Sequence, residues 1–150
     1  MPPLDYQRVY RLKKRRPDLA ISINGGITDL ADSLSHLQQL DGVMLGRAAY
    51  HNPYLLAQVD HKLFGLEEAQ LSRRGIVERM IPHIEDELAH GLRLNQITRH
   101  MMGLYAGEPG ARIWRRELGE KARLQGAGIE LVREAMERVE KMRERALCGM

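Results

Sequence analysis

Two glycine-bearing turns are the part of this sequence best suited to hold an anionic ligand. The turn Asn24–Gly26 follows an apolar run at 19–23, and the turn Gly46–Arg47 follows an apolar run at 41–45. Glycine lets backbone N–H groups approach an anion closely, and the guanidinium group of Arg47 has the fork geometry that matches phosphate oxygens. Together the two turns predict a phosphate-binding site. The alternative is that the glycines serve turn geometry alone and that Arg47 is an ion-pair partner.

The segments that carry these turns have the order of parallel β/α units. The two apolar runs are typical of strands, and they alternate with helical patterns over 4–16, from Thr28 or Asp29 to Leu40, and from Asn52-Pro53 to Val59. A crossover between parallel strands needs a helix, so this order predicts an α/β fold. In α/β barrels, the loops after the last two strands commonly hold a ligand phosphate.

Both predicted strands have the composition of central strands that are buried on two faces. Two strands do not form a stable sheet by themselves, and the sequence supplies no neighbouring strands for them. A barrel needs about eight strands and typically about 250 residues, whereas this chain has 150. The first half is therefore predicted to consist of two β/α units whose sheet neighbours this sequence does not supply.

From about Ser72 onward, the sequence pattern is helical. Apolar residues recur at helical spacing in four stretches, which are 77–88, 97–105, 111–122 and 129–142. Four amphipathic helices joined by short turns predict a compact helical bundle. On the solvent side of the fourth helix, the spacing predicts ion pairs between Glu134 and Arg138 and between Glu137 and Lys141.

The third predicted helix separates a core stripe from a basic stripe. The core stripe consists of Ala111, Trp114, Leu118 and Ala122, and we expect Trp114 to be a core anchor. The basic stripe consists of Arg112, Arg115, Arg116 and Arg123. It is a candidate phosphate-binding surface, and the alternative is a solvated face with Glu117 and Glu120 nearby.

The net charge of +3 is too small to require a polyanionic partner, but its distribution is uneven. Residues 1–71 carry eight basic and eight acidic side chains, whereas residues 72–150 carry 15 basic and 12 acidic ones, so the positive excess lies in the helical half. The single cysteine, Cys148, excludes an internal disulfide, and the six histidines show no metal-binding spacing. No apolar run approaches the roughly 18 residues that span a bilayer, and we expect no membrane association.

From Pro3 to about Val139, the sequence resembles the C-terminal portion of the tRNA-dihydrouridine synthases, most closely the A-type enzymes that act on the D-loop. Five ordered blocks carry the resemblance: Pro3-Leu4-Asp5-Tyr6, Ser22-Ile23-Asn24-Gly25-Gly26-Ile27, Asp41-Gly42-Val43-Met44-Leu45-Gly46-Arg47-Ala48-Ala49-Tyr50 with Asn52-Pro53, Ile97-Thr98-Arg99-His100-Met101, and Pro109-Gly110-Ala111-Arg112 with Trp114-Arg115-Arg116. The resemblance implies the end of an FMN-binding TIM barrel followed by a helical tRNA-binding domain.

The resemblance also assigns site residues, each by its position in a matching motif. The contacts to the phosphate of FMN fall on Asn24, Gly25, Gly26, Gly46 and Arg47. The contacts to tRNA fall on Arg112 and Arg115. The family reduces uridine with FMN, takes its reducing equivalents from NADPH, and uses a proton-donating cysteine in an early barrel loop. Cys148 lies outside any matching motif, so we expect no catalytic residue in this chain.

The resulting prediction is an α/β plus all-α chain with residues 1–60 from the barrel, a linker at 61–71 and a helical tRNA-binding domain at 72–150. The implied activity is the reduction of D-loop uridine, at positions 20 and 20a, to 5,6-dihydrouridine, and we expect this piece to be inactive by itself. The resemblance implies a cytoplasmic enzyme that is monomeric at full length and needs no metal. Two alternatives remain: a non-catalytic tRNA-binding module, and another phosphate-binding barrel enzyme.

Overall fold

Two short parallel strands, β1 (Ser22–Asn24) and β2 (Gly42–Met44), form the sheet of this protein. They are paired in register, with Ser22 opposite Gly42 and Asn24 opposite Met44. The computed structural model describes residues 3–67 and 70–149. Within these residues the chain forms two units, which we call the β/α unit (3–50 and 55–67) and the helical unit (51–54 and 70–149).

The first strand lies later in the chain than the apolar run at 19–23 predicts. The ammonium group of Lys13 donates to the carbonyl oxygen of Leu19 at 2.8 Å and pairs with the Asp41 carboxylate at 2.8 Å. That carboxylate also accepts the N–H of Ile21 at 2.8 Å. Residues 19–21 are therefore held partly by side-chain bonds, and the strand begins at Ser22.

The helices of the β/α unit are α1 (Tyr6–Arg15), α2 (Leu30–Leu37), α3 (Arg47–His51) and α4 (Val59–Phe64). The Asp29 carboxylate caps α2 by accepting the N–H of Asp32 at 2.8 Å, as one of the two predicted caps. The helix predicted from Asn52 begins instead as a 3-10 helix (Pro53–Gln58). Helix α4 continues to Phe64, so the start of the predicted 61–71 linker is helical, and residues 68 and 69 of it lie outside the described residues.

The core of the β/α unit is small and covers one face of the sheet. Tyr10, Ile23, Ile27 and Leu40 form its buried cluster. The prediction that both strands are buried on two faces is wrong, because Ser22 and Asn24 are exposed and Met44 is 53% exposed. Alternation of this kind is typical of a strand that is covered on one side only.

The helical unit consists of α5 (Arg73–Ala89), α6 (Leu94–Thr98), α7 (Ala111–Glu120), a 3-10 helix (Lys121–Arg123) and α8 (Ile129–Cys148). Its buried cluster includes the large side chains of Trp114, Tyr105, Ile84, Leu94 and Leu118. The indole N–H of Trp114 donates to the carbonyl oxygen of Met101 at 2.8 Å. The expectation that Trp114 anchors the core is confirmed.

The second predicted helix, over 97–105, is wrong beyond Thr98. The chain continues there as consecutive tight turns, in which the N–H of Met101 donates to the Thr98 carbonyl at 2.9 Å and the N–H of Leu104 donates to the Met101 carbonyl at 3.1 Å. Met101, Leu104 and Tyr105 are nevertheless buried. Turns with bonds between residues three apart also bring side chains at this spacing to one side, so the apolar pattern did not distinguish them from a helix.

Gly103 lies in the tight turns after α6, where they contact the backbone of residues 51–54. We predict that Gly103→Ala destabilises the helical unit by about 1–3 kcal/mol. An added Cβ would collide with the carbonyl oxygen of His51 and would lie 2.8 Å from its carbonyl carbon and 3.0 Å from Cδ of Pro53. Urea unfolding followed by the fluorescence of Trp114, the single tryptophan, measures the effect.

The matched control for this prediction is Gly119→Ala within α7. There an added Cβ would find its nearest neighbour at 3.7 Å, on the flexible end of Met102. Alanine in a helix interior is favoured over glycine by about 0.5–1 kcal/mol, so the control should be neutral or stabilising. Equal unfolding midpoints for the two variants would contradict the packing argument.

Within residues 3–67 and 70–149, no helix combines the length and the apolar character needed to cross a membrane. The same described residues contain no group of three or more metal-ligating side chains placed to hold an ion. Cys148 is a free, exposed thiol at the end of α8.

Candidate functional site

The parallel register of β1 and β2 brings the two glycine-bearing turns to one edge of the sheet. Asn24 ends β1 opposite Met44, which ends β2. Gly25 and Gly26 follow β1 directly, whereas Leu45 separates Gly46 from β2 and Arg47 begins α3. Both segments leave the sheet at the carboxyl ends of its strands. In open and closed α/β folds this edge is where ligands bind.

The glycines of the first turn are required by the fold itself. Gly25 and Gly26 have φ values of 120° and 69°, in the region that favours glycine. The Tyr6 hydroxyl donates to the Gly25 carbonyl oxygen at 2.7 Å, and a Cβ on Gly26 would lie 2.7 Å from that hydroxyl. Turn geometry therefore accounts for these glycines without any ligand, and their presence by itself does not identify an anion site.

The second turn differs from the first because its surroundings are open. A Cβ on Gly46 would meet nothing within 4 Å, and Gly46 and Arg47 are both exposed. Across the part of the chain that the structure describes, no ion pair or hydrogen bond engages the Arg47 guanidinium group. The alternative role of Arg47 as an internal ion-pair partner is therefore not realised here. A free guanidinium group beside open space is suited to an anionic ligand.

The arginines of the helical unit fall into structural and unpaired groups. Arg73 pairs with Glu108 at 2.9 Å and lies 3.7 Å above the ring of Tyr54, and Arg143 pairs with the same carboxylate at 2.8 Å. These guanidinium groups hold the helical unit together. They are therefore not available to bind a partner.

Arg112 and Arg115, the two arginines predicted to contact tRNA, belong to the unpaired group. Both are exposed on α7, and neither forms an ion pair within residues 3–67 and 70–149. The predicted separation of the two stripes of this helix is confirmed, because Trp114 and Leu118 are fully buried on the other side. Unpaired, exposed guanidinium groups retain their full attraction for phosphate.

A shallow groove between α7 and α8 adds basic residues that the sequence analysis missed. Its volume is about 280 Å³, and it is lined by Ile113, Arg116, Arg138, Lys141, Met142 and Arg145. The three cations of α8 recur at intervals of three and four, which is the signal that could have found them. The sequence pattern assigned Lys141 to Glu137 instead. That pairing is wrong, because Glu137 pairs with Arg74 at 2.6 Å.

Glu117 is buried, and its partners Arg116 and Arg138 line this groove. The alternative of a solvated face with Glu117 and Glu120 nearby is therefore wrong for Glu117. Its carboxylate pairs with Lys121, with Arg138 at 3.1 Å and with Arg116 at 3.7 Å. The hydrogen bond from Lys121, followed by the charges of the three cations, lowers the pKa of Glu117 below its ordinary value. Arg116 and Arg138 are thus partly neutralised, whereas Arg112 and Arg115 are not.

The lowered pKa of Glu117 predicts a pH-dependent contribution to stability. A carboxylate with a lowered pKa in the folded state stabilises the fold above its unfolded pKa, and this stabilisation is lost as the pH falls through the folded pKa. We expect Glu117→Gln to cost about 1 kcal/mol at pH 7. The difference from the wild-type protein should begin to shrink below about pH 4.3, the ordinary pKa of a glutamate, and should vanish as the pH falls through the lowered pKa of the folded state.

Thermal melts of the helical unit between pH 3 and pH 7, followed by Trp114 fluorescence, measure this difference. The control is Glu120→Gln, because Glu120 is exposed and takes part in no ion pair among the described residues. The control should melt like the wild-type protein at every pH. A gap between wild-type and Glu117→Gln that stays constant down to pH 3 would contradict the ion-pair explanation.

Comparison with known proteins now identifies the class of protein. The dihydrouridine synthase (Dus) family matches residues 1–140, and the chain belongs to this family. Two parallel strands with their crossover helix are consistent with part of the TIM barrel of that family. The match sets aside the alternative of an unrelated phosphate-binding barrel.

Individual relatives match this chain under one shared name, which is more specific than the family description. The tRNA-dihydrouridine(20/20a) synthase of Shewanella oneidensis is 59% identical over 140 residues, which cover 93% of this chain and 42% of the relative. Proteins of the same name from Vibrio cholerae and Escherichia coli (strain K12) are each 50% identical over 139 residues. The chain spans about two fifths of the length of these relatives. The family resemblance found from the five motif blocks is confirmed.

Proposed function

We propose that this chain is the C-terminal part of a flavin-dependent tRNA-dihydrouridine synthase. The whole enzyme would reduce a D-loop uridine, at position 20 or 20a, to 5,6-dihydrouridine, with FMN as cofactor and NADPH as reductant. The β/α unit would be the end of the barrel, and the helical unit would be the tRNA-binding bundle. The family match and the names of the relatives support this assignment.

The observation that carries the flavin part of the proposal is the free Arg47 guanidinium group beside Gly46. Their open surroundings fit an anionic group, and the register of β1 and β2 places the turn Asn24–Gly26 at the same edge. In our proposal, Asn24, Gly25, Gly26, Gly46 and Arg47 hold the phosphate of FMN. When bound, reduced FMN supplies the hydride for the uracil ring. These five residues only bind and orient the cofactor.

The tRNA part of the proposal rests on the unpaired arginines of α7. Arg112 and Arg115 would bind phosphate groups of the tRNA backbone, and the cations that line the α7–α8 groove would extend the same positive surface. No residue of this chain is assigned to proton transfer. Cys148, at the far end of α8, is remote in sequence from both turns and carries no catalytic role in the proposal.

A chimera tests the proposal directly. In it, this chain replaces the segment that it matches in the Shewanella oneidensis relative, which supplies the remainder of the enzyme. We expect the chimera to purify with FMN and to form dihydrouridine in an unmodified tRNA transcript, as detected by mass spectrometry of the digested RNA. The unaltered relative is the positive control. A folded chimera that contains FMN and binds tRNA but forms no dihydrouridine would contradict the proposal.

The second candidate, a tRNA-binding module without catalysis, has one observation in its favour. The helical unit has its own large buried core, so it holds its arginines without help from the strand-end turns. FMN separates the two candidates. A chimera that binds tRNA but never retains flavin would favour the binding module.

A further inference from the structure

A cavity of about 560 Å³ lies in the helical unit, between the start of α6 and the connection into α8. Its apolar floor consists of Leu92 and Leu124, which are 39% and 66% exposed. The neighbouring lining residues Leu94 and Ala122 are buried in the core of the unit and offer almost no accessible surface. A volume of this size is in the range of sites that enclose a small organic group.

Two cations flank this apolar floor. Arg93 lies immediately before α6, where the Gln96 side chain accepts its backbone N–H at 2.8 Å, and Arg123 ends the 3-10 helix after α7. Both are exposed, and in the described part of the chain neither guanidinium group forms an ion pair or a hydrogen bond. No carboxylate is among the lining residues. The cavity therefore combines an apolar surface with two unneutralised positive charges.

Arg123 also continues the basic stripe of α7. It lies in the 3-10 helix (Lys121–Arg123) that directly follows α7, and like Arg112 and Arg115 it is exposed. Of the two acidic side chains between Arg115 and Arg123, Glu117 is buried and Glu120 is exposed. The cavity thus lies at the end of the surface that the proposed function assigns to tRNA.

We propose that this cavity is a second RNA-contacting site, in which one unstacked base of a single-stranded tRNA segment occupies the apolar floor. Arg93 and Arg123 bind the phosphates on either side of that nucleotide. Single-stranded RNA is recognised through its unstacked bases and through contacts to its phosphates. The inference rests on the proposed function, because it requires that tRNA lies along α7.

An acidic peptide with apolar side chains is the other partner that this chemistry admits. The position of Arg123 directly after α7 favours RNA, because one polyanionic backbone can bind the exposed arginines of α7 and Arg123 together. The slope of RNA affinity against salt concentration is proportional to the number of phosphate contacts, so the contribution of each arginine can be measured.

The test uses the complete chain and two labelled RNAs of equal length, a hairpin with the D-arm stem and its unpaired loop, and a fully paired duplex. Fluorescence anisotropy at several salt concentrations gives the affinity and the salt slope. We expect Arg93→Gln and Arg123→Gln each to weaken hairpin binding about tenfold and to lower the slope by about one. Leu124→Ser should weaken hairpin binding about threefold without changing the slope, because its contact is uncharged, and should not affect the duplex.

The matched control is Arg79→Gln. Arg79 is an exposed arginine of α5 that does not line the cavity and takes part in no ion pair within the described residues. Arg79→Gln removes the same charge as Arg93→Gln or Arg123→Gln. If it binds the hairpin as tightly as the wild-type chain, the losses in the other two variants are local to the cavity. Circular dichroism melts of all variants check that each is folded.

Three results would overturn the inference in distinguishable ways. If Arg115→Glu loses hairpin binding while Arg93→Gln and Arg123→Gln retain it, tRNA binds α7 but not the cavity. If all three variants bind like the wild-type chain, the proposed tRNA surface itself is wrong. A leucine-containing oligoglutamate peptide that matches the hairpin in affinity, and loses it with Arg93→Gln, would assign the cavity to an acidic protein instead.

Discussion

Arg47→Ala is expected to weaken FMN binding by the chimera about thirtyfold. A bidentate, charge-assisted contact to a phosphate is worth about 2 kcal/mol, which corresponds to that factor. Arg47 is exposed and has no internal partner among the described residues, so its loss should leave the stability of the fold unchanged. Titration of flavin fluorescence gives the affinity, and a thermal melt without flavin gives the stability.

Two companion variants sharpen this prediction. Arg47→Lys keeps the charge but loses the fork, so its affinity for FMN should lie between those of wild-type and Arg47→Ala. Arg15→Ala removes an exposed arginine of α1 that has no ion pair in the described chain, and it should bind FMN normally. If Arg47→Ala also binds FMN normally, the second turn does not hold the phosphate.

Arg115→Glu is expected to weaken tRNA binding by the complete chain about a hundredfold at low salt. The substitution replaces one phosphate contact by a repulsion, so the slope of affinity against salt concentration should fall by about two. Arg116→Glu should have a smaller effect, because Arg116 already lies 3.7 Å from the Glu117 carboxylate. Filter binding across a salt series measures both.

A general loss of net charge must be separated from a local contact in this experiment. Arg79→Glu makes the same change of charge at an exposed arginine of α5 that lines neither the cavity nor the α7–α8 groove. We expect it to weaken binding only slightly, by the screened long-range attraction. Equal losses for Arg79→Glu and Arg115→Glu would show that the helical unit attracts tRNA by charge without a specific α7 surface.

The order of the elements was predictable because each rests on a local signal. The Asp29 cap, the glycines after β1 and the spacing of Trp114 and Leu118 act within a few residues of chain. The prediction of a helix over 97–105 was wrong because it, too, used only local spacing. Met101, Leu104 and Tyr105 have helical spacing, but the approach of Gly103 to residues 51–54 is a long-range contact that no local pattern contains.

The candidate site was predictable as far as residue type decides it. Gly46 and Arg47 were predicted as candidate phosphate-binding residues because a glycine next to an arginine after an apolar run is a short local motif. The burial of Glu117 could not be predicted in this way, because it depends on how α7 and α8 pack and on the ion pair that Arg138 of α8 forms with Glu117 of α7. Which arginines remain unpaired also depends on tertiary contacts, as the difference between Arg73 and Arg115 illustrates.

The free thiol of Cys148 offers a practical route to several of these measurements. It is the only cysteine in the sequence, it is exposed, and it lies at the last residue of α8. A maleimide dye would therefore attach at a single known position without any prior mutagenesis, provided that the protein is kept reduced. Energy transfer from that dye to a label placed at one or the other end of a D-arm hairpin would show which end of the bound RNA lies nearer to the last residue of α8.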